Sequence, residues 1–196
     1  VLLDAFASFG FQDVDAFIPN RFVEGYGLTV DAVEKIAATG AKLIVPVDCG
    51  SLSHIEVTRA NELGVNVIVT DHHNVAEIPP PAVATINPKR KDHNYPFIDL
   101  AGVGVAFKLV QALQTKLDGL PPGQEKWLLD LVALGTVCDV VTLVDENRLF
   151  VHYGLKVLSQ TRRPGLKALM AVAAVVPKKI TTTTLVFALG PLLNPA

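Results

Sequence analysis

The chain has 196 residues, of which 50% are hydrophobic and 18% are charged. This amount of apolar material is enough for a core and argues against a disordered protein. The formal net charge of -2 does not predict nucleic-acid binding, and the basic residues fall in short clusters that we interpret as solvated loops. Two cysteines are too few for a disulfide framework or a four-thiolate zinc site, which favours a reduced, cytoplasmic setting.

The first half of the chain alternates helical and strand-like segments. Thr29 and Ser53 are the expected N-caps of two of its helices. Helices are predicted over residues 1–9, 30–39 and 53–63. Strands are predicted over residues 14–19, 42–48, 65–71 and 82–87. Pro46 cannot donate the N–H that a central strand needs, so a bulge or an edge position is expected there.

The second half of the chain is predicted to be helical. The helices are expected over residues 103–117, 125–138, 148–159, 165–175 and 182–189. Strands as apolar as those of the first half are usually buried on both faces of a parallel sheet. The sequence therefore predicts an α/β fold, with a parallel sheet flanked by helices over residues 1–100 and a helical connector over residues 101–196.

Both termini suggest a piece of a longer protein. The only methionine is Met170, and the opening residues read as the later turns of a helix.

No apolar run reaches about 18 residues, so no membrane-spanning helix is expected. The first 20 residues lack a basic start, so no secretory signal is expected either.

Acidic residues follow the two most apolar strands. Asp48 ends the first of these strands, and Asp71 ends the second and precedes His72 and His73. Because a helix separates the strands, we expect them to be parallel neighbours whose carboxyl ends meet at one edge of the sheet. Carboxylates and imidazoles together suit Mn²⁺ or Mg²⁺ better than a thiolate zinc site. Each residue alone could equally be a cap or a solvated turn former.

Asp139 lies at the end of a predicted apolar helix that begins near Trp127. A carboxylate is an unfavourable neighbour for the negative end of a helix dipole. A compensating cation would explain the position, and a simple surface aspartate remains the alternative.

Two motifs carry a family resemblance. The segments VDCG (47–50) and VTDHH (69–73) resemble the second and third motifs of the DHH phosphoesterase superfamily. Further segments make the chain similar to the RecJ-type single-stranded-DNA exonucleases within that superfamily. These are IPNRFVEGYGL (18–28), INPKRKDHNYPFIDLAGVGVAFKL (86–109), LVALGTVCDVV (131–141) and FALGPLLN (187–194).

The resemblance implies a role for each matching residue. It implies that Asp48, His72 and Asp139 bind two divalent cations, Mn²⁺ or Mg²⁺, and that Asp71 is a ligand or orients the His72 imidazole. It implies that His73 faces the scissile phosphate. The implied reaction is 5′→3′ hydrolysis of single-stranded DNA to 5′-mononucleotides, in DNA repair and recombination.

Three more residues are candidates for substrate binding. Arg21 is the phosphate-facing candidate in the NRFVEGYGL loop, although an exposed arginine is often simply solvated. Gly102 and Gly104 could let backbone amides approach a phosphate, or could simply form a tight loop before a helix.

The sequence departs from the family at both ends. The family's first motif, an Asp-rich strand end, has no counterpart, and Leu192 stands where the family has an arginine. A later DNA-binding domain is also missing. We therefore expect the chain to bind metal weakly. The alternatives are another DHH phosphoesterase, acting on oligonucleotides, cyclic dinucleotides or polyphosphate, and a catalytically inactive fragment.

Overall fold

The computed structural model describes residues 1–20 and 25–193 of the chain. The chain forms two compact units. One unit comprises Asp13–Val105 and contains the sheet, and we call it the sheet unit. The other comprises Val1–Gln12 and Ala106–Ala196, and we call it the helical unit. Among the described residues, no helix is both long and apolar enough to span a membrane.

The sheet unit holds three parallel strands in the order β1-β2-β3. The strands are β1 (Leu43–Ile44), β2 (Asn66–Thr70) and β3 (Ala84–Ile86). Helices α2 (Val30–Ala38) and α3 (His54–Glu62) accompany them, and α3 connects β1 to β2. The predicted parallel α/β fold is therefore confirmed.

The core of the sheet unit explains why β2 is central. Val67 and Val69 are fully buried in β2, and Val33 and Val57 from α2 and α3 belong to the same apolar cluster. Thr29 caps α2 as predicted, since its side chain accepts a hydrogen bond from the Ala32 N–H at 3.2 Å. Ser53 precedes α3, but its side chain makes no capping hydrogen bond.

The strand predicted over residues 42–48 is shorter than expected, and Pro46 gives the reason. β1 ends at Ile44, and only an isolated bridge from Val47 to Thr70 continues the pairing. The Pro46 carbonyl accepts hydrogen bonds from Thr70 N at 3.0 Å and Thr70 Oγ1 at 2.7 Å. β1 is an edge strand of the described sheet, where a missing N–H is tolerated.

The strand predicted over residues 14–19 is wrong. These residues form no strand, and Phe17 and Ile18 are 43% and 87% exposed. An apolar run becomes a strand only where a neighbour supplies the ladder hydrogen bonds and a face is buried. The apolar residues of 14–19 were therefore not sufficient to make this segment a strand.

The helical unit contains most of the remaining helices. They are α1 (Leu2–Ser8), α5 (Leu129–Cys138), α6 (Asp145–Leu158), α7 (Pro164–Val172), α8 (Thr182–Thr184) and α9 (Gly190–Leu193). Helix α4 (Gly102–Gln114) spans the boundary between the units. The helix predicted over 125–138 begins as a 3₁₀ helix, Gln124–Leu128, and the one predicted over 182–189 contains a π-helix, Leu185–Leu189.

Buried polar contacts fix the helical unit beside its apolar core. Asp130 is 2% exposed and accepts hydrogen bonds from Thr161 Oγ1 at 2.6 Å and Arg163 Nε at 3.1 Å. Arg163 also forms an ion pair with Asp4 of α1. Asp4 therefore has a structural partner within its own unit.

Candidate metal centre

Asp48, His72 and His73 form a cluster of possible metal ligands at the carboxyl ends of β1 and β2. One ligand atom from each of them lies within 4.8 Å of the others. The Asp48 Oδ1 and His72 Nε2 atoms are 3.0 Å apart. The convergence expected from a parallel βαβ unit is thus present for these three residues.

The backbone of Asp48 has an unusual conformation. Its φ is +66°, in the left-handed region that costs most non-glycine residues about 1–2 kcal/mol and that aspartate adopts more often than most. Asp48 N donates to Thr70 O at 2.9 Å, and the Tyr26 hydroxyl donates to Asp48 O at 2.8 Å. Strained residues of this kind persist where the surrounding structure fixes them, and they concentrate at functional sites.

The arrangement of Asp48 and His72 fits a divalent cation. Asp48 Oδ1 is buried and has no hydrogen-bond partner among the described residues, although His72 Nε2 is 3.0 Å away. Two ligand atoms about 2.1 Å from an octahedral cation, at right angles to each other, stand roughly 3.0 Å apart. The separation of the carboxylate oxygen and the imidazole nitrogen therefore matches that of two ligands of one cation.

Asp71 accepts hydrogen bonds from its own turn and from Ser51, in the segment that follows β1. It is 2% exposed and accepts hydrogen bonds from Ser51 N at 3.0 Å, His72 N at 2.8 Å and His73 N at 3.1 Å. Its Oδ1 also lies 2.8 Å from His73 Nδ1. Burial opposes ionisation, but the hydrogen bonds from Ser51 and His73 outweigh it and lower the pKa of Asp71 to about 2.

The imidazole that Asp71 contacts is that of His73, whereas the sequence suggested His72. The His73 side chain is 49% exposed, and its ring lies 4.4 Å from the His72 ring between centroids. Because an ionised carboxylate only accepts hydrogen bonds, the proton on His73 belongs on Nδ1. This leaves His73 Nε2 as the ring atom available to a metal ion or a substrate.

Gly102 lies directly against the Asp48 carboxylate. A Cβ at this position would be 2.8 Å from Asp48 Cγ and 3.1 Å from Asp48 Cβ, and closer still to Oδ1. The absence of a side chain at Gly102 therefore makes room for Asp48. Gly104 is buried two residues further along α4. No contact of the described residues bears on phosphate binding by either glycine.

Asp139 belongs to the helical unit, where it is the C-cap of α5. Its N–H donates to Gly135 O at 2.9 Å. The next residue, Val140, has a φ of +58° and is 86% exposed. A β-branched residue in the left-handed region is strained, so the turn immediately after Asp139 has a cost that the surrounding structure must offset. Arg21, the predicted phosphate-facing residue, lies outside the described residues.

Three residues of the site were not predicted. Ser51 and Asn87 are 2% and 3% exposed and contact residues 71–73, which we call the DHH turn. Tyr26 contacts Asp48. Ser51 and Asn87 both follow strands, which was the available signal, but serine and asparagine are common turn formers at such positions.

The two cysteines are poor candidates for the chemistry. Burial, followed by the nearby Asp71 and Asp48 carboxylates, raises the pKa of the Cys49 thiol to about 11. Burial also raises the pKa of the Cys138 thiol. Neither is a thiolate at neutral pH, and thiolates are the form that binds metal or acts as a nucleophile.

Known proteins resemble this chain over nearly its whole length. The chain is 46% identical to the single-stranded-DNA-specific exonuclease RecJ of Escherichia coli K12, covering 98% of this chain and 35% of that protein. It is 44% identical to the protein of the same name from Bacillus subtilis 168, covering 92% of this chain and 22% of that protein. The chain thus spans about a third or less of the length of these curated relatives.

Solved structures agree with the sequence comparison. A crystal structure of exonuclease RecJ bound to manganese superimposes with a TM-score of 0.82 at 34% identity, covering 98% of this chain and 47% of that one. RecJ from Thermus thermophilus in complex with Mn²⁺ gives a TM-score of 0.77 at 31% identity, covering 97% of this chain and 26% of that one.

The family assignment agrees with the position of the DHH turn at the end of β2. Residues 1–136 match the N-terminal domain of the DHH family, and this range includes Asp48, Asp71, His72 and His73. The chain therefore belongs to the DHH family.

Proposed function

We propose that this chain is part of the catalytic domain of a metal-dependent 5′→3′ exonuclease that hydrolyses single-stranded DNA to 5′-mononucleotides. The observation that carries the proposal is the Asp48, His72 and His73 cluster. It lies in a chain 46% identical to a single-stranded-DNA-specific exonuclease. The proposal includes single-stranded DNA as the substrate, a cytoplasmic location and a role in DNA repair and recombination.

The proposed cofactors are two divalent cations, Mn²⁺ or Mg²⁺. Asp48 and His72 would hold them, since their ligand atoms have the separation that a shared cation requires. Asp139 would be a further ligand, and the strain at Val140 supports a functional reason for the turn that follows it. When bound, such cations lower the pKa of a water molecule and stabilise developing charge on phosphate oxygens.

The protein's own groups would position the substrate. Asp71 holds the His73 imidazole by Nδ1, which leaves Nε2 as the ring atom that would face the scissile phosphate. Arg21, Gly102 and Gly104 are the proposed substrate-binding residues. We further propose residues 1–100 as the DHH-type catalytic subdomain and residues 101–196 as the helical part of the catalytic core leading into a connector.

The experiment that tests the proposal is release of labelled mononucleotide from single-stranded DNA with and without Mn²⁺. Strands labelled at the 5′ end and at the 3′ end are compared, because a 5′→3′ enzyme releases the 5′ label first. Asp48→Asn should abolish the release, whereas Asp118→Asn, at an exposed aspartate, should leave it unchanged. A Mn²⁺-dependent release that survives Asp48→Asn would contradict the assignment of the site.

Substrate length separates the proposed function from those of other DHH phosphoesterases. An exonuclease of this type should degrade long single strands, whereas an oligonucleotide, cyclic-dinucleotide or polyphosphate hydrolase should prefer its own short or non-nucleic substrate. If the 196-residue chain binds Mn²⁺ through Asp48 but releases no nucleotide from any substrate, it is a catalytically inactive fragment.

A further inference from the structure

A ring of buried polar groups joins the segments that follow the three strands. Ser51 follows β1, Asp71 follows β2 and Asn87 follows β3, and they are 2%, 2% and 3% exposed. Buried polar side chains cost free energy unless they are hydrogen-bonded, so their shared network needs a structural or functional reason.

The hydrogen bonds of the ring close on themselves through His73. Ser51 N donates to Asp71 Oδ2 at 3.0 Å, and Asp71 Oδ1 lies 2.8 Å from His73 Nδ1. Asn87 Nδ2 donates to the His73 carbonyl at 3.0 Å and to Ser51 Oγ at 2.8 Å. The ring therefore holds both the backbone and the imidazole of His73.

Asn87 is itself held in one orientation. Its Oδ1 accepts from Lys89 N at 2.9 Å, which places the amide nitrogen on the side of His73 and Ser51. Its main-chain carbonyl lies 2.9 Å from His93 Nε2, and His93 Nδ1 accepts from Tyr95 N at 3.0 Å. Since His93 Nδ1 accepts, Nε2 carries a proton and donates to Asn87. The side-chain amide of Asn87 is thus held by three groups, Lys89 N, the His73 carbonyl and Ser51 Oγ. The contact with His93 holds its backbone.

We propose that Asn87 is a positioning residue for His73, whose side chain fixes the DHH turn so that His73 keeps its proton on Nδ1 and presents Nε2 to the metal centre. This inference rests on the proposed function for its consequence in metal and substrate binding. The geometry of the ring is independent of any metal. Asn87 acts through Ser51 Oγ and the backbone carbonyl of His73, and not through a ligand atom of the cluster.

The test uses Asn87→Asp, which keeps the oxygen facing Lys89 N but replaces the amide donor with a second oxygen. That oxygen would face the His73 carbonyl, so the bond becomes a repulsion. Asn147→Asp is the matched control, because Asn147 is fully buried in the helical unit and its Nδ2 donates to the Thr142 carbonyl at 3.1 Å. Both changes place a carboxylate in a buried amide position.

The first readout is the ¹H–¹⁵N NMR signal of the His73 Nδ1 proton in the metal-free 196-residue chain, assigned by its loss in His73→Gln. We expect a slowly exchanging Nδ1–H in the wild-type chain and in Asn147→Asp. In Asn87→Asp the proton should exchange at least about tenfold faster, because the ring that encloses it is open.

The second readout is the Mn²⁺ affinity measured by calorimetry. Asn87→Asp should weaken it by about 10–100-fold, the usual effect of losing a partner that orients a ligand, because the His73 side chain belongs to the ligand cluster with Asp48 and His72. Asn147→Asp should leave the Mn²⁺ affinity unchanged, even if its melting temperature falls as far as that of Asn87→Asp. Equal exchange rates and equal affinities for the two variants would overturn the proposal, because Asn87 would then be a structural residue only.

Two further outcomes are distinguishable. If the wild-type chain binds no Mn²⁺ through Asp48, the proposed function fails, while the metal-free exchange rate still decides the role of Asn87. If Asn87→Asp does not fold, Ser51→Ala replaces it. This change removes the Oγ, which accepts from Asn87 and also hydrogen-bonds to Asp71, and it leaves Ser51 N on Asp71. It should accelerate the exchange of the His73 proton, and an unchanged rate would overturn the proposal.

Discussion

Replacing Gly102 with alanine should damage the candidate metal centre although it replaces none of the proposed ligand residues. The new methyl group would lie 2.8 Å from Asp48 Cγ and 3.1 Å from Asp48 Cβ. Carbon atoms in contact are normally about 3.5 Å or more apart, so the carboxylate must move away by roughly 0.5 Å or more. Asp48 is held through its backbone by Thr70 and Tyr26, so its side chain has to take up most of the shift.

The size of the expected effect follows from the tolerance of metal sites. Ligand distances in such sites are kept within about 0.2 Å of their preferred values. A displacement larger than this should weaken Mn²⁺ binding by about 10-fold or more, as losing a group that orients a ligand does. The effect on folding should be a net loss of at most about 2.5 kcal/mol. Alanine in a helix is worth about 0.5–1 kcal/mol over glycine, whereas crowding a packed site typically costs about 1–3 kcal/mol.

The assay is Mn²⁺ calorimetry alongside thermal unfolding of the metal-free chain. Gly165→Ala is the matched control, because Gly165 lies in the first turn of α7 and a Cβ there meets no atom within 4 Å. Gly165→Ala should raise the melting temperature slightly and leave Mn²⁺ affinity alone. If Gly102→Ala binds Mn²⁺ as tightly as Gly165→Ala, Asp48 does not need the space at Gly102 and the reasoning is refuted.

Three other predictions concern stability and reactivity. Val140→Gly should stabilise the chain by about 1 kcal/mol in urea unfolding, because glycine relieves the left-handed backbone at that residue; a loss of stability would contradict this. Gly154→Ala should destabilise it by about 1–3 kcal/mol, since a methyl group would meet the Leu129 carbonyl of α5; an unchanged midpoint would show that the helices adjust freely. Iodoacetamide at about pH 8 should label exposed Cys138 at least about tenfold faster than Cys49. The thiolate of Cys49 forms only as the pH approaches its pKa of about 11, so its labelling should accelerate with rising pH, and equal rates would contradict the raised pKa.

Local signals predicted the elements that local interactions determine. The apolar run of β2 and the capping residue Thr29 of α2 appear in the structure as expected. Residues 14–19 failed because a strand depends on a neighbour that the segment itself does not encode. Pro46 was recognised as an anomaly from its missing N–H, but only the structure shows that it lies just beyond the end of the edge strand β1.

The sequence predicted the part of the candidate site that follows from the convergence of the carboxyl ends of parallel strands. Asp48, His72 and His73 meet because parallel strands place their carboxyl ends together. The partner of Asp71 was not predictable, since the choice between neighbouring imidazoles depends on the geometry of the turn. Asn87 was missed because its bond to Ser51 joins residues 36 positions apart in the chain.

At position 48, thermal stability and the proposed function favour different residues, because Asp48 has a left-handed backbone conformation. Glycine adopts this conformation without the cost that aspartate incurs, and its own cost in the unfolded chain is only about 0.5–1 kcal/mol. Random variants selected only for survival at high temperature would therefore gain from Asp48→Gly, which deletes the carboxylate facing His72. Engineering a thermostable form of this protein requires position 48 to be held constant or activity to be selected at every round.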